Sequence, residues 1–234
     1  MKIFILITTL LYSLSGWSSE FGSCDLMFPK KRPPEISAML KSQSKSLCFN
    51  DFAILYSTKT KTPVYTVEKM NYMKQFHKEA RTNNFHEEAK LSNKDRATLN
   101  DYKKSGYDRG HNVPAGDCTN SICMTESFSL ANMFPQAPKL NRGAWAKSVE
   151  MPTRKYIERS SGDIYIFTGG FYDGSSGTIG SNQVGVPSHV WKLVYDSQKN
   201  KSWVYWLKNQ DTTKMSAPIS YEEFVKKTGL KLLD

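Results

Sequence analysis

Beyond residue 11 the chain has no apolar run approaching the roughly 20 residues that a membrane-spanning helix needs, which excludes a later helical span. It also has no internal repeat, no low-complexity block and no composition break that would mark a linker, so one sizeable domain is expected over residues 20–234. Cysteine is scarce, at four residues, and none of the four forms the Cys-x-x-Cys knuckle that structural zinc sites favour. Acidic residues are outnumbered, with 22 Asp and Glu against 32 Lys and Arg, for a formal charge of +10. That excess suits a polyanionic partner such as nucleic acid or an anionic membrane surface, although a basic surface that only confers solubility satisfies it equally well.

What is present begins with Met1-Lys2, the short apolar run Ile3–Leu11 and small residues at Ser13, Ser15 and Gly16. Charge, apolar run and small residues in that order make a secretory signal, with cleavage expected between Ser15 and Ser19; the alternative is a buried N-terminal helix. Residues 1–19 are therefore assigned as the signal, and its removal takes only Lys2 from the charge, leaving +9. The chain is expected to act in the periplasm or outside the cell, without stable membrane insertion. In an oxidising compartment the even cysteine count favours two bridges, and the local pairings Cys24–Cys48 and Cys118–Cys123 are expected.

Phe52–Tyr56 and Val64–Lys69 flank a polar turn and predict a hairpin, whereas residues 20–50 carry few periodic apolar positions and predict an irregular arm. Residues 70–101 are polar with weak periodicity, suited to short helical turns. Ile164–Thr168, Val190–Tyr195 and Trp203–Leu207 predict strands, with the glycine-rich span 169–185 as a loop between the first two. A helix is expected from about Arg142 to Ile157, and Ser220 with Glu223 forms a capping box ahead of a last helix that Gly229 stops. The fold class expected is α+β: a mixed, mainly antiparallel central sheet flanked by helices.

Chemistry-bearing residues concentrate between Tyr107 and Glu150. In Asp108-Arg109-Gly110-His111 an extended strand would put Arg109 and His111 on one face, an imidazole able to accept a proton near pH 7 beside a guanidinium able to hold a phosphate. Asp108 would point the other way and brace the backbone, and Gly110 permits close approach of another group. A histidine taken alone, as His77, His86 or His189 also are, is more often structural than catalytic. Asn141 suits a helix cap or, through its carbonyl oxygen, a hard divalent cation that keeps most of its waters.

These residues resemble the DNA/RNA non-specific endonucleases related to Serratia nuclease and mitochondrial endonuclease G, of the ββα-metal fold. The matching stretches are Asp108–His111, Pro114–Asp117, Ser127–Met133 with Pro135-Gln136, Asn141–Trp145, Gly185–Lys192 and Thr62–Lys69, covering roughly residues 50 to 210. The resemblance implies His111 as general base, Asn141 as direct ligand of Mg2+, with Mn2+ as a substitute, and Arg109 as a phosphate-stabilising group. It places Asn132 and Gln136 beside the site for support or substrate contact. Lys69 stands where relatives often carry an arginine on the early strand, keeping charge without the bidentate fork.

The family's acidic residue usually follows the asparagine by eight positions, but Glu150 follows Asn141 by nine. On a regular helix of roughly 100° per residue, nine steps put the pair on opposite faces, so Glu150 reaches the site only if a bulge absorbs one residue. The expected function is metal-dependent hydrolysis of DNA and RNA to 5′-phosphate products. The alternatives are a cationic nucleic-acid-binding protein that has lost turnover through the Lys69 and Glu150 changes, and a structural or adhesive exported protein. Monomer and homodimer are both left open.

Overall fold

A computed structural model describes residues 21–76 and 79–233. The signal assigned to residues 1–19, and His77, lie outside the described residues. Among the described residues ten strands are present: β1 (Ser44–Cys48), β2 (Phe52–Ser57), β3 (Thr62–Met70), β4 (Asp108–His111), β5 (Met133–Gln136), β6 (Ile164–Phe171), β7 (Thr178–Ile179), β8 (Val184–Gly185), β9 (His189–Asp196) and β10 (Lys201–Lys208). Six form one sheet in the order β1-β2-β3-β6-β9-β10, with every neighbouring pair antiparallel. The fold is thus α+β as expected, and its main sheet is antiparallel throughout.

Both faces of this sheet are covered, which is why its inner strands read as nearly continuous apolar runs rather than clean alternations. On one face Leu55, Tyr65, Val67, Phe167, Trp191 and Leu193 pack with Phe28 of the N-terminal segment and Phe224 of the C-terminal helix Tyr221–Thr228. Ser220 caps that helix by accepting from the Glu223 amide, and Gly229 ends it with φ 72°, a left-handed conformation that glycine takes without steric cost. On the other face Ile164, Ile166, Val190 and Val194 pack against Phe134 of β5 and against Trp145, Val149 and Ile157 of a long central helix.

The arm expected over residues 20–50 is only partly irregular, because its last residues form β1 at the sheet edge. Its sequence Ser-Lys-Ser-Leu-Cys carries polar side chains as edge strands do, and so lacked an apolar signal. A bridge joins Cys24 to Cys48 and so ties the N-terminal turn to β1, and a second joins Cys118 to Cys123, both as paired from the sequence.

Candidate active site

Two strands and a helix build the site. β4 and β5 pair antiparallel, with Asp108 opposite Gln136, Gly110 opposite Phe134 and His111 opposite Met133. Gly110 is required here: a Cβ on it would lie 2.6 Å from the Gln136 Cβ, so only a bare backbone lets the two strands close. After β5 the chain enters the helix at Pro138, whose fixed φ suits a first turn.

That helix changes its winding. Pro138–Leu140 is α-helical, Asn141–Glu150 is a π-helix, and Met151–Ile157 is α-helical again. Pro152 has no N–H to give Ser148, and its ring would press on that carbonyl in a regular helix; a wider turn before it relieves both problems. The π-helix closes i→i+5 bonds, as Met151 N–H to the Ala146 oxygen shows. Each residue then turns by roughly 80° instead of roughly 100°, so nine steps make about two full turns. Asn141 and Glu150 thereby fall on one face, and the extra residue counted in the sequence is absorbed.

The helix and hairpin border a cavity of about 480 Å³, lined by Arg109 and His111 from β4, Asn141, Arg142, Glu150 and Arg154 from the helix, and Arg81 and Phe85 from the preceding segment. Asp108 lines it too. Its carboxylate accepts from Asn141 Nδ2 at 2.9 Å and from Arg142 Nε at 2.8 Å, so Asp108 orients two helix side chains instead of bracing its own strand. With Nδ2 so committed, the Asn141 carboxamide leaves Oδ1 as its acceptor end.

His111 is buried, and its ring meets Phe128 edge-on with centroids 5.0 Å apart and Phe85 at 5.5 Å. Burial first, then the charges of Arg81 and Arg109, pull its pKa from 6.5 down to about 3, so the imidazole is neutral at pH 7. Among the described residues no hydrogen-bond partner reaches its Nε2. The same two phenylalanines seat the arginines: Arg109 lies 4.0 Å over the Phe85 ring and Arg81 lies 4.9 Å over Phe128. Arg154 donates to Asp117 Oδ1 at 2.8 Å and comes within 4.0 Å of the Glu150 carboxylate. Burial raises the Glu150 pKa, and the charge of Lys192 is the first of those that offset it.

Of the residues singled out from the sequence, His111, Arg109, Asn141 and Glu150 come together, and three do not join them. Asn132 is fully buried, with its carboxamide donating to the Val113 and Ser127 carbonyls and accepting from the Val113 amide, so it holds the loop that follows His111. Gln136 is fully buried against Gly110. Lys69 points to the opposite face of the sheet, because side chains alternate along β3 and its neighbour Glu68 faces the cleft side. It pairs with Asp163 at 2.7 Å and lies 5.9 Å over Tyr165. The guanidinium that the early part of the chain brings to the cavity is Arg81. Sequence reading missed Arg81, Phe85 and Arg154; the Arg154 spacing of four from Glu150 was the one local signal available.

A two-stranded hairpin followed by a helix, with a neutral histidine, arginines and an oriented asparagine around one cavity, defines the class as a ββα nuclease fold. The sequence pattern of the DNA/RNA non-specific endonucleases matches residues 35–234, and the chain belongs to that family. Human mitochondrial endonuclease G is 31% identical over 169 residues, covering 67% of this chain and 54% of that protein. Nuclease C1 of Cunninghamella echinulata var. echinulata is 36% identical over 121 residues, covering 47% of each. The chain therefore spans about half the length of these curated relatives. A solved EndoG/EndoGI complex, which addresses EndoG inhibition, has the same fold: TM-score 0.75 over 94% of both chains at 24% identity.

Proposed function

We propose that residues 20–234 act as one exported, divalent-metal-dependent endonuclease domain that hydrolyses phosphodiester bonds in DNA and RNA with little sequence preference, leaving 5′-phosphate ends. The observation that carries this reading is the convergence of His111, Arg109, Asn141 and Glu150 on one cavity. Asn141 fits a hard, hydrated cation. Its Oδ1 is the free acceptor end, and the described residues contain no group of three or more His, Cys, Asp or Glu that would cage an ion. Such a donor set suits an ion that keeps most of its waters, as Mg2+ does, with Mn2+ as substitute. When bound, the ion supplies positive charge to the phosphate oxygens and acidity for the leaving 3′-oxygen.

The remaining steps fall to the chain's own groups. Neutral His111 takes the proton of the attacking water. Arg109 and Arg81 hold the non-bridging oxygens as they gain charge. An arriving phosphodiester also offsets the two arginine charges that depress His111, so the imidazole becomes more basic once substrate is in place. Glu150, on the same cavity, would order the water shell of a bound ion. Guanidinium contacts to phosphate carry no base information, which accounts for weak sequence preference.

Export is supported by the N-terminal pattern and by two bridges of a kind that persist in oxidising compartments; among the described residues no helix is long and apolar enough to cross a membrane. The binding-only alternative leaned on Lys69 and Glu150, but Lys69 lies away from the cavity and the π-helix brings Glu150 to it. Plasmid DNA and RNA are to be digested side by side with Mg2+ and with excess chelator. Cleavage that the chelator stops, leaving ends that ligate without added phosphate, is the expected result; binding without chelator-sensitive cleavage refutes it.

A further inference from the structure

Beneath the cleft, the sheet face that carries the β4–β5 hairpin and the long helix is crossed by a polar row. Thr66 pairs with Thr168 and Thr168 with Lys192 across β3, β6 and β9, and Glu68 lies two residues along β3 on the same side. All are shielded from solvent, Glu68 at 2% and Lys192 at 1% exposure. A buried ammonium is destabilising unless its surroundings compensate it, so its contacts identify what it serves.

Lys192 Nζ donates to Thr168 Oγ1 at 2.7 Å and to the main-chain oxygen of Asn112 at 3.4 Å. Asn112 follows His111 directly, and its amide donates to the Asn132 oxygen at 2.9 Å. The residue beside His111 is thus gripped from the sheet on one side and from the Asn132 loop on the other. Lys192 also acts on two carboxylates. Burial raises the pKa of Glu68, as does Asp117, and Lys192 opposes both; for Glu150 it is the first charge opposing burial. One Glu68 oxygen has no hydrogen-bond partner among the described residues. A lysine that only neutralised Glu68 would have no need to reach Asn112.

We propose that Lys192 is a positioning residue for the cleft, fixing from the sheet below the backbone next to His111; this rests on the nuclease reading above. The test uses the full chain as Lys192→Met, Glu68→Gln and the double variant, with His111→Ala as reference. Thermal unfolding is measured alongside Mg2+-supported plasmid cleavage, resolved into kcat and KM. Lys192→Met is expected to lower Tm and to reduce kcat by roughly 10–100-fold, the range seen when groups supporting a metal site are removed. KM is expected to stay within about twofold, since no substrate contact is lost. The double variant removes the buried ammonium together with the acidic group of Glu68 and is expected to regain Tm while kcat stays low. Recovery of kcat together with Tm, or a Lys192→Met kcat within about twofold of wild type, overturns the proposal. If Lys192→Met does not fold, the double variant decides alone. Cleavage by wild type but not by His111→Ala keeps the nuclease reading whichever way Lys192 falls, whereas a wild-type chain that does not cleave sinks both.

Discussion

His111 should write its environment into the acid stability of the whole chain. Its ordinary pKa of 6.5 falls to about 3 in the fold through burial and the charges of Arg81 and Arg109. The unfolded chain therefore binds this proton more readily than the native one. The stability that comes from keeping the ring neutral is complete above about pH 6.5 and is lost progressively as pH falls toward 3. At about pH 4.5, roughly two pH units below the ordinary value, the loss is on the order of 3 kcal/mol. Glu68 and Glu150, whose pKa values are raised, respond with the opposite sign, but a His111→Asn variant keeps both and the difference between the two proteins isolates the imidazole. Urea unfolding followed by tryptophan fluorescence from about pH 7.5 to 4.5 gives each free energy. Wild type should lose on the order of 3 kcal/mol more than His111→Asn across that range. Parallel curves would show that the ring is not held neutral by its surroundings, and the assignment of His111 as a buried base would fall with it.

Other perturbations are as direct. Asn141→Ala should reduce Mg2+-supported cleavage by roughly 100-fold while filter-binding affinity for DNA is kept, because the carboxamide is assigned to the ion and not to the polynucleotide. Gly110→Ala should cost roughly 1–3 kcal/mol in a denaturant melt, since its new methyl meets Gln136 at 2.6 Å. Arg81→Ala should slow cleavage far more than Lys69→Ala, which should stay within about twofold of wild type in the same nicking assay because Lys69 is committed to Asp163. Replacing Cys118 and Cys123 together by serine should remove about 2 kcal/mol from the unfolding free energy, as expected for so short a loop, and mass mapping of the unreduced native chain should find no free thiol.

The strands that the sequence announced are those in which burial on both faces left a dense run of β-branched and aromatic residues, as in Ile164–Phe167 and Val190–Tyr195. β1 escaped because an edge strand of this kind is polar, and the two-residue pair β7–β8 escaped because nothing so short has a period. Within the site, Arg109 and His111 were legible from two-residue alternation along β4. The same rule misplaced Asp108, which as the first strand residue is drawn toward the start of the helix by Asn141 and Arg142. Asn141 and Glu150 became meaningful only through the family resemblance. Arg81 could not be found by pattern at all: it sits in an aperiodic segment, and its place is set by packing over Phe128, a residue 47 positions later in the chain. Lys192 was hidden for the opposite reason, since a run as apolar as Val-Trp-Lys-Leu-Val reads as core whichever side chain interrupts it.

The change of winding between Asn141 and Glu150 bears on how this chain should be aligned with others. Counting eight positions from the asparagine lands on Val149, a side chain wholly enclosed among Trp145, Ile157 and Ile166, and an alignment that forbids gaps inside helices would report the carboxylate as missing. Counting turns finds it. A helix that trades one bonding pattern for the next can gain or lose a residue and still deliver the same two side chains to the same place, so the distance that matters in comparing such chains is measured in revolutions.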